Sequence, residues 1–135
     1  MLDEIEAHMR HTYPHECCGL IIGTSAGDVR TGTRSWPCGN LNTERAVDRY
    51  ELDPNDMLRA QQDLEGRDED IVGIYHSHPD HPSQASRFDR DHAWPGWSYM
   101  IGSVMNGQVA MVQSWILDES GTAFDEEPVE VEQES

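Results

Sequence analysis

The stretch Ile71-Val72-Gly73-Ile74-Tyr75, followed at once by His76-Ser77-His78-Pro79, constrains this chain more than any other. A short apolar run between a charged segment and a proline reads as a buried strand. Side chains alternate along a strand, so His76 and His78 present two imidazoles to one side where the strand ends. Pro79 and Pro82 stop regular structure and force a loop. That loop delivers a carboxylate, Asp89. Two imidazoles, one carboxylate and an open fourth position make up a catalytic zinc site rather than a structural one. Simpler readings exist for the pieces. A lone His-x-His is a weak pattern. Ser86-x-x-Asp89 also fits a capping box at a helix start, although that motif prefers Glu or Gln at its last position.

Taken together, Glu16, His76-Ser77-His78-Pro79 and Ser86-x-x-Asp89 resemble the signature of the JAMM (MPN-plus) metalloproteases. The gap between Pro79 and Ser86 is six residues. Pro14-His15-Glu16-Cys17-Cys18-Gly19-Leu20-Ile21-Ile22-Gly23 is similar to the family's first strand, and Trp94-Pro95-Gly96-Trp97-Ser98-Tyr99 to its small prokaryotic branch. The resemblance runs from about residue 1 to about residue 118.

The resemblance implies an α+β fold, a mixed β-sheet flanked by helices, of the cytidine-deaminase-like kind. It implies one Zn²⁺ per chain on His76, His78 and Asp89, with Glu16 as general base and Ser86 stabilising the oxyanion. The family hydrolyses amide bonds after the C-terminal Gly-Gly of ubiquitin or ubiquitin-like proteins. This chain lacks the long insertions of ubiquitin-specific members. It is similar to small members acting on ubiquitin-like sulfur-carrier proteins, some releasing cysteine from the carrier tail and others undoing carrier–lysine conjugates. Two alternatives stand beside this reading. A two-His, one-carboxylate set also serves non-haem iron oxygenases, which gives Glu16 and Ser86 nothing to do. A non-catalytic MPN scaffold typically lacks a signature residue, whereas this chain retains all five. For Glu16 alone, a solvated strand-edge position is the structural alternative.

The length of 135 residues fits one domain with a real core. We place it at residues 1–120, with residues 121–135 an acidic, partly disordered tail. No segment reaches the ~20 apolar residues of a membrane helix. Met1-Leu2-Asp3-Glu4 has no basic or apolar leader, so a cytoplasmic location is expected. The formal charge is −17, from 26 acidic and 9 basic residues, and every basic residue is Arg. Such a surface repels nucleic acid and anionic membranes. It suits either a basic partner or a high-salt cytoplasm, and the even spread of acids along the chain favours the latter. Three cysteines without an export signal argue against a disulfide framework. Cys17 and Cys18 are adjacent, so they point to opposite faces of a strand. Cys38 has half of a deaminase motif, but Leu41 stands where the second Cys belongs and the His-x-Glu partner is missing.

Leu2, Ile5 and Met9 predict a helix over 2–12, leaving His8, His11 and His15 as surface residues. Strands are expected from Glu16 to about Thr24, over 29–36 and from Ala46 to Leu52, with a turn at Ser25-Ala26-Gly27-Asp28. Asp53-Pro54 supplies an N-cap and an N1 proline for a helix to Leu64 that turns Met57, Leu58 and Leu64 to the sheet. A short helix over 86–93 and strands over 98–104 and 108–117, joined by Asn106-Gly107, complete the domain. Trp94, Trp97 and Tyr99 read mostly as core, and the end from Asp125 as frayed.

Self-repulsion of the Lys-free, acid-rich surface sets a first expectation. About 1 M salt shrinks the Debye length to about 3 Å, so the melting temperature rises with salt. A melting temperature that stays flat from dilute buffer to molar salt contradicts it.

Overall fold

The computed structural model describes residues 1–27, 29–46, 49–91 and 93–130. Of the turn expected over 25–28, Ser25 and Ala26 instead extend β1, Gly27 turns with φ +61°, and position 28 lies outside the described residues, as do part of the expected strand over 46–52 and the predicted helical position 92. Among those described, the order is α1 (Leu2–Thr12), β1 (Cys18–Ala26), β2 (Val29–Cys38), α2 (Pro54–Leu64), β3 (Asp70–Pro79), α3 (Arg87–Asp91), β4 (Ser98–Met105), β5 (Gln108–Leu117) and β6 (Phe124–Glu127). The protein is α+β, with a mixed sheet in the order β2-β1-β3-β4-β5-β6.

Only the β3–β4 ladder is parallel among these strands. Parallel neighbours need a crossover, and residues 80–97 supply it, α3 included. Helices cover both faces. On one, Ile5 and Met9 of α1 bury completely against Cys17, Ile21, Val72, Tyr75, Met100 and Val104. On the other, Ala60 and Leu64 of α2 pack with Cys18, Leu20, Ile22, Ile74 and Tyr99. Cys17 and Cys18 thus enter opposite cores, and all three cysteines are free thiols. Burial raises the pKa of Cys38 to about 12.

Local rules explain most boundaries. Asp53 caps α2 by accepting from the Asn55 N–H at 2.9 Å, with Pro54 behind it. Asn106 and Gly107 both take positive φ, as a two-residue type I′ hairpin requires. His11 and His15 are exposed, whereas His8 is half-buried with its Nδ1 2.7 Å from the Tyr75 hydroxyl.

Four expectations need correction. Leu58 is 51% exposed, and the buried stripe of α2 runs through Ala60 instead. β1 begins at Cys18 rather than Glu16, because the Glu16 N–H bonds the Ala46 carbonyl and not a strand partner. The described part of 46–52 is no strand but irregular chain with one isolated bridge, Asn40–Leu52. The tail does not fray at Asp125: β6 pairs with β5 from Ser114–Glu127 to Leu117–Phe124. Glu127 accepts from the Ser114 hydroxyl at 2.7 Å and meets Arg30 at 3.3 Å, so side-chain contacts hold an acidic edge strand. The aromatics divide: Tyr99 is core, Trp97 packs against it, and Trp94 is 66% exposed.

Gly73 sits where β3 and β4 approach closely, and a Cβ there collides with the Ser98 main-chain carbonyl. A backbone neighbour cannot swing aside. Gly73→Ala is therefore expected to cost about 1–3 kcal/mol, read as a lower midpoint in urea. An unchanged midpoint refutes the close approach.

Candidate metal centre

β3 carries His76 and His78 to the same side of the sheet, the side that α2 covers. Their Nε2 atoms lie 3.2 Å apart. Asp89, on α3, sets Oδ1 3.1 Å from His76 Nε2 and Oδ2 3.1 Å from His78 Nε2. The three donor groups therefore face one point. Bonds of about 2.0–2.1 Å to a tetrahedral ion place its ligands roughly 3.3 Å apart, so the residues fit a zinc ion. Ligand atoms of Glu16, His76 and His78 likewise lie within 4.8 Å of one another. The Glu16 carboxylate thus reaches the same centre from the β1 side.

The surroundings fix each group. The His78 Nδ1 is 2.8 Å from the Pro82 carbonyl; a proton there leaves Nε2 as the electron-pair donor toward the centre. His76 is fully buried, and the Tyr50 ring stacks on it with centroids 4.5 Å apart. Its Nδ1 has no hydrogen-bond partner among the described residues. Ser86 and Asp89 form a complete capping box: the Ser86 N–H donates to Asp89 Oδ2 at 2.9 Å, and the Asp89 N–H to Ser86 Oγ at 3.0 Å. The structural alternative for this motif and the metal-ligand role coincide in one residue, since the second Asp89 oxygen still faces His76. Ser86 Oγ is an acceptor toward Asp89, so its hydroxyl proton is available to the cleft.

The loop between His78 and Ser86 is pinned to the sheet. Asp80 takes φ +58° and bonds the Val104 carbonyl through its N–H at 2.7 Å. Ser103 donates to the His81 carbonyl at 2.6 Å. Buried Ser83 donates to Gln113 at 2.6 Å, and its carbonyl accepts from the Trp115 indole at 3.0 Å.

Electrostatics favour the ligand forms of His76 and Asp89 and, without an ion, the protonated form of His78. Burial lowers the His76 pKa, so the ring stays neutral. Burial opposes charge on Asp89, but the close approach of the His76 and His78 rings outweighs it and holds the carboxyl well below its usual range. The same carboxylate, together with the Pro82 carbonyl, overcomes burial at His78 and raises its pKa. Burial, then the nearby Asp89 charge, raises Tyr50 well above its ordinary value, so it remains a phenol.

A cleft of about 420 Å³ opens onto the centre, lined by Glu16, Arg49, His78, His81, Ser86 and Asp89 among others. All five residues singled out in the sequence thus gather around it. Three that support them were not foreseen. Ser77, between the histidines, accepts the Cys17 N–H at 2.9 Å and ties the residue after Glu16 to β3. Asn40 donates to the Glu16 carbonyl at 3.2 Å. Tyr50 covers His76 from a segment expected to be a strand; Gly39-Asn40 followed by Asn42 was the sequence signal for side-chain-built irregular chain instead.

Comparison with known proteins agrees with this arrangement. Residues 1–118 match the family described as prokaryotic homologs of the JAB domain. The chain is 40% identical over 106 residues to a desampylase of Haloferax volcanii, covering 75% of this chain and 74% of that one. It is 31% identical to a CysO-cysteine peptidase of Mycobacterium tuberculosis, over 97% of this chain and 86% of the relative. The solution structure of a Desulfitobacterium hafniense protein superposes with a TM-score of 0.83 at 31% identity, covering 98% of this chain and 89% of that one. With its signature residues gathered at one centre and the match spanning β1 to β5, the chain belongs to the prokaryotic JAB (JAMM/MPN) family.

Proposed function

We propose that this protein is a cytoplasmic zinc metallopeptidase that hydrolyses the amide or isopeptide bond after the C-terminal Gly-Gly of a ubiquitin-like sulfur-carrier protein. The observation that carries the reading is the triangle of His76, His78 and Asp89 donor atoms, 3.1–3.2 Å on each side, with Glu16 at the same centre. The names of the relatives, a desampylase and a CysO-cysteine peptidase, support the substrate class.

In this reading His76, His78 and Asp89 hold one Zn²⁺. When bound, the ion supplies Lewis acidity to water and to the scissile carbonyl. Glu16 takes the proton from the attacking water and delivers it to the leaving amine. The Ser86 hydroxyl, oriented by its bond to the Asp89 N–H, donates to the oxyanion. Glycines before the scissile bond let the substrate backbone approach without a Cβ clash. An iron oxygenase leaves Glu16 without a task, though the carboxylate lies beside both histidines.

Glu16→Gln is expected to retain zinc and its melting temperature and to lose about 10²–10⁴-fold in rate, because an amide cannot accept the proton. Cleavage at the parent's rate makes Glu16 structural. Ser86→Ala is expected to lose about 10²–10³-fold. His76→Ala, His78→Ala and Asp89→Ala are each expected to reduce bound zinc sharply by elemental analysis. Full occupancy in all three removes the proposed ligand set. Mass spectrometry of a carrier–cysteine adduct and a carrier–lysine conjugate tests the substrate. Cleavage of unfolded casein but of neither adduct means a general protease.

A further inference from the structure

We propose that Arg49 forms a subsite for the free carboxylate of the departing residue, so that the cleft favours a single α-linked amino acid over a lysine side chain as leaving group. This inference rests on the function proposed above. Because Glu16 protonates the leaving amine, the leaving group occupies the Glu16 side of the cleft. Arg49 is on that side. One nitrogen, Asn40 Nδ2, donates to the carbonyls of both Glu16, at 3.2 Å, and Arg49, at 3.1 Å. Asn40 Oδ1 accepts from the N–H groups of Asn42 and Glu51, each at 2.9 Å. That amide is fully used, and it fastens the segment carrying Arg49 to the segment carrying Glu16. Both residues line the cleft, and Ser86 comes from the other chain segment, after β3.

The charge balance sharpens the choice. Arg49 is the only Arg among the described residues lining the cleft, in a chain with a formal charge of −17. Much of that surface repels a carboxylate, whereas a guanidinium grips one with paired hydrogen bonds. Arg49 is held within the fold, and its guanidinium carries five N–H donors in a planar fork. In a carrier tail ending in one α-linked residue, a single carbon separates the leaving nitrogen from the carboxylate. In a lysine conjugate the leaving nitrogen terminates a chain of four methylenes, and no carboxylate lies beside it. The cation therefore reads charge at a short, fixed distance from the scissile bond.

The test uses the zinc-loaded full chain and a ubiquitin-like carrier extended after Gly-Gly by one cysteine, prepared as the free acid and as the carboxamide. The parent protein should cleave the acid with kcat/KM about tenfold to a hundredfold above the carboxamide. Arg49→Met should bring that ratio close to one, and Arg49→Lys should leave it intermediate. Equal rates on the two forms by the parent overturn the subsite, as does a ratio that survives Arg49→Met. If Arg49→Met does not fold by circular dichroism, the parent ratio and Arg49→Lys decide. Cleavage of neither form by the parent overturns the subsite; the metallopeptidase reading falls with it only when a carrier–lysine conjugate is left intact as well.

Discussion

The antiparallel pairing of β1 with β3 is the constraint on which the rest depends. It sets Cys18 opposite His76 and lets Ser77 and Cys17 exchange two hydrogen bonds, N–H to carbonyl at 3.2 Å and N–H to hydroxyl at 2.9 Å. Through that register a carboxylate at position 16 arrives beside imidazoles at 76 and 78. A slip of one residue would turn both histidines to the opposite face, under α1. Register is therefore guarded twice, by the apolar faces of both strands and by the Ser77 hydroxyl.

Against this frame the crossover after β3 supplies the second half of the centre. Parallel neighbours cannot be joined by a tight turn, so the chain must leave the sheet and return. The excursion is long enough to carry Asp89 and Ser86, and its anchors at Val104, Ser103, Gln113 and Trp115 all belong to the two strands beyond it. The sheet thus grips the loop from one side while the segment leading into β1 presents Glu16 from the other.

Much of this was legible in the residues. Period-two alternation placed His76 and His78 together, Asp53-Pro54 marked a helix start, and Asn106-Gly107 marked a hairpin. Family resemblance was needed for Glu16, whose position depends on pairing across sixty residues of sequence. Two elements escaped for physical reasons. Residues around Tyr50 have strand-like composition, but the Asn40 side chain takes the main-chain bonds a neighbouring strand would have taken. β6 has the acidity of a solvated tail, and its pairing relies on Ser114 of the preceding strand and on Arg30, which is far away in sequence. Composition reports local preference, and both cases were decided by side chains outside the segment itself.

The capping box at α3 carries a consequence for the energetics of metal capture. A helix of five residues is too short to persist by itself. Its first turn is held by Asp89, the same side chain that faces both histidines. Helix start and donor triangle are then one cooperative unit: under the proposed function, whatever loosens that turn also loosens the ligand set. Changes at the helix start that never touch the histidines would then alter the geometry the donor triangle offers.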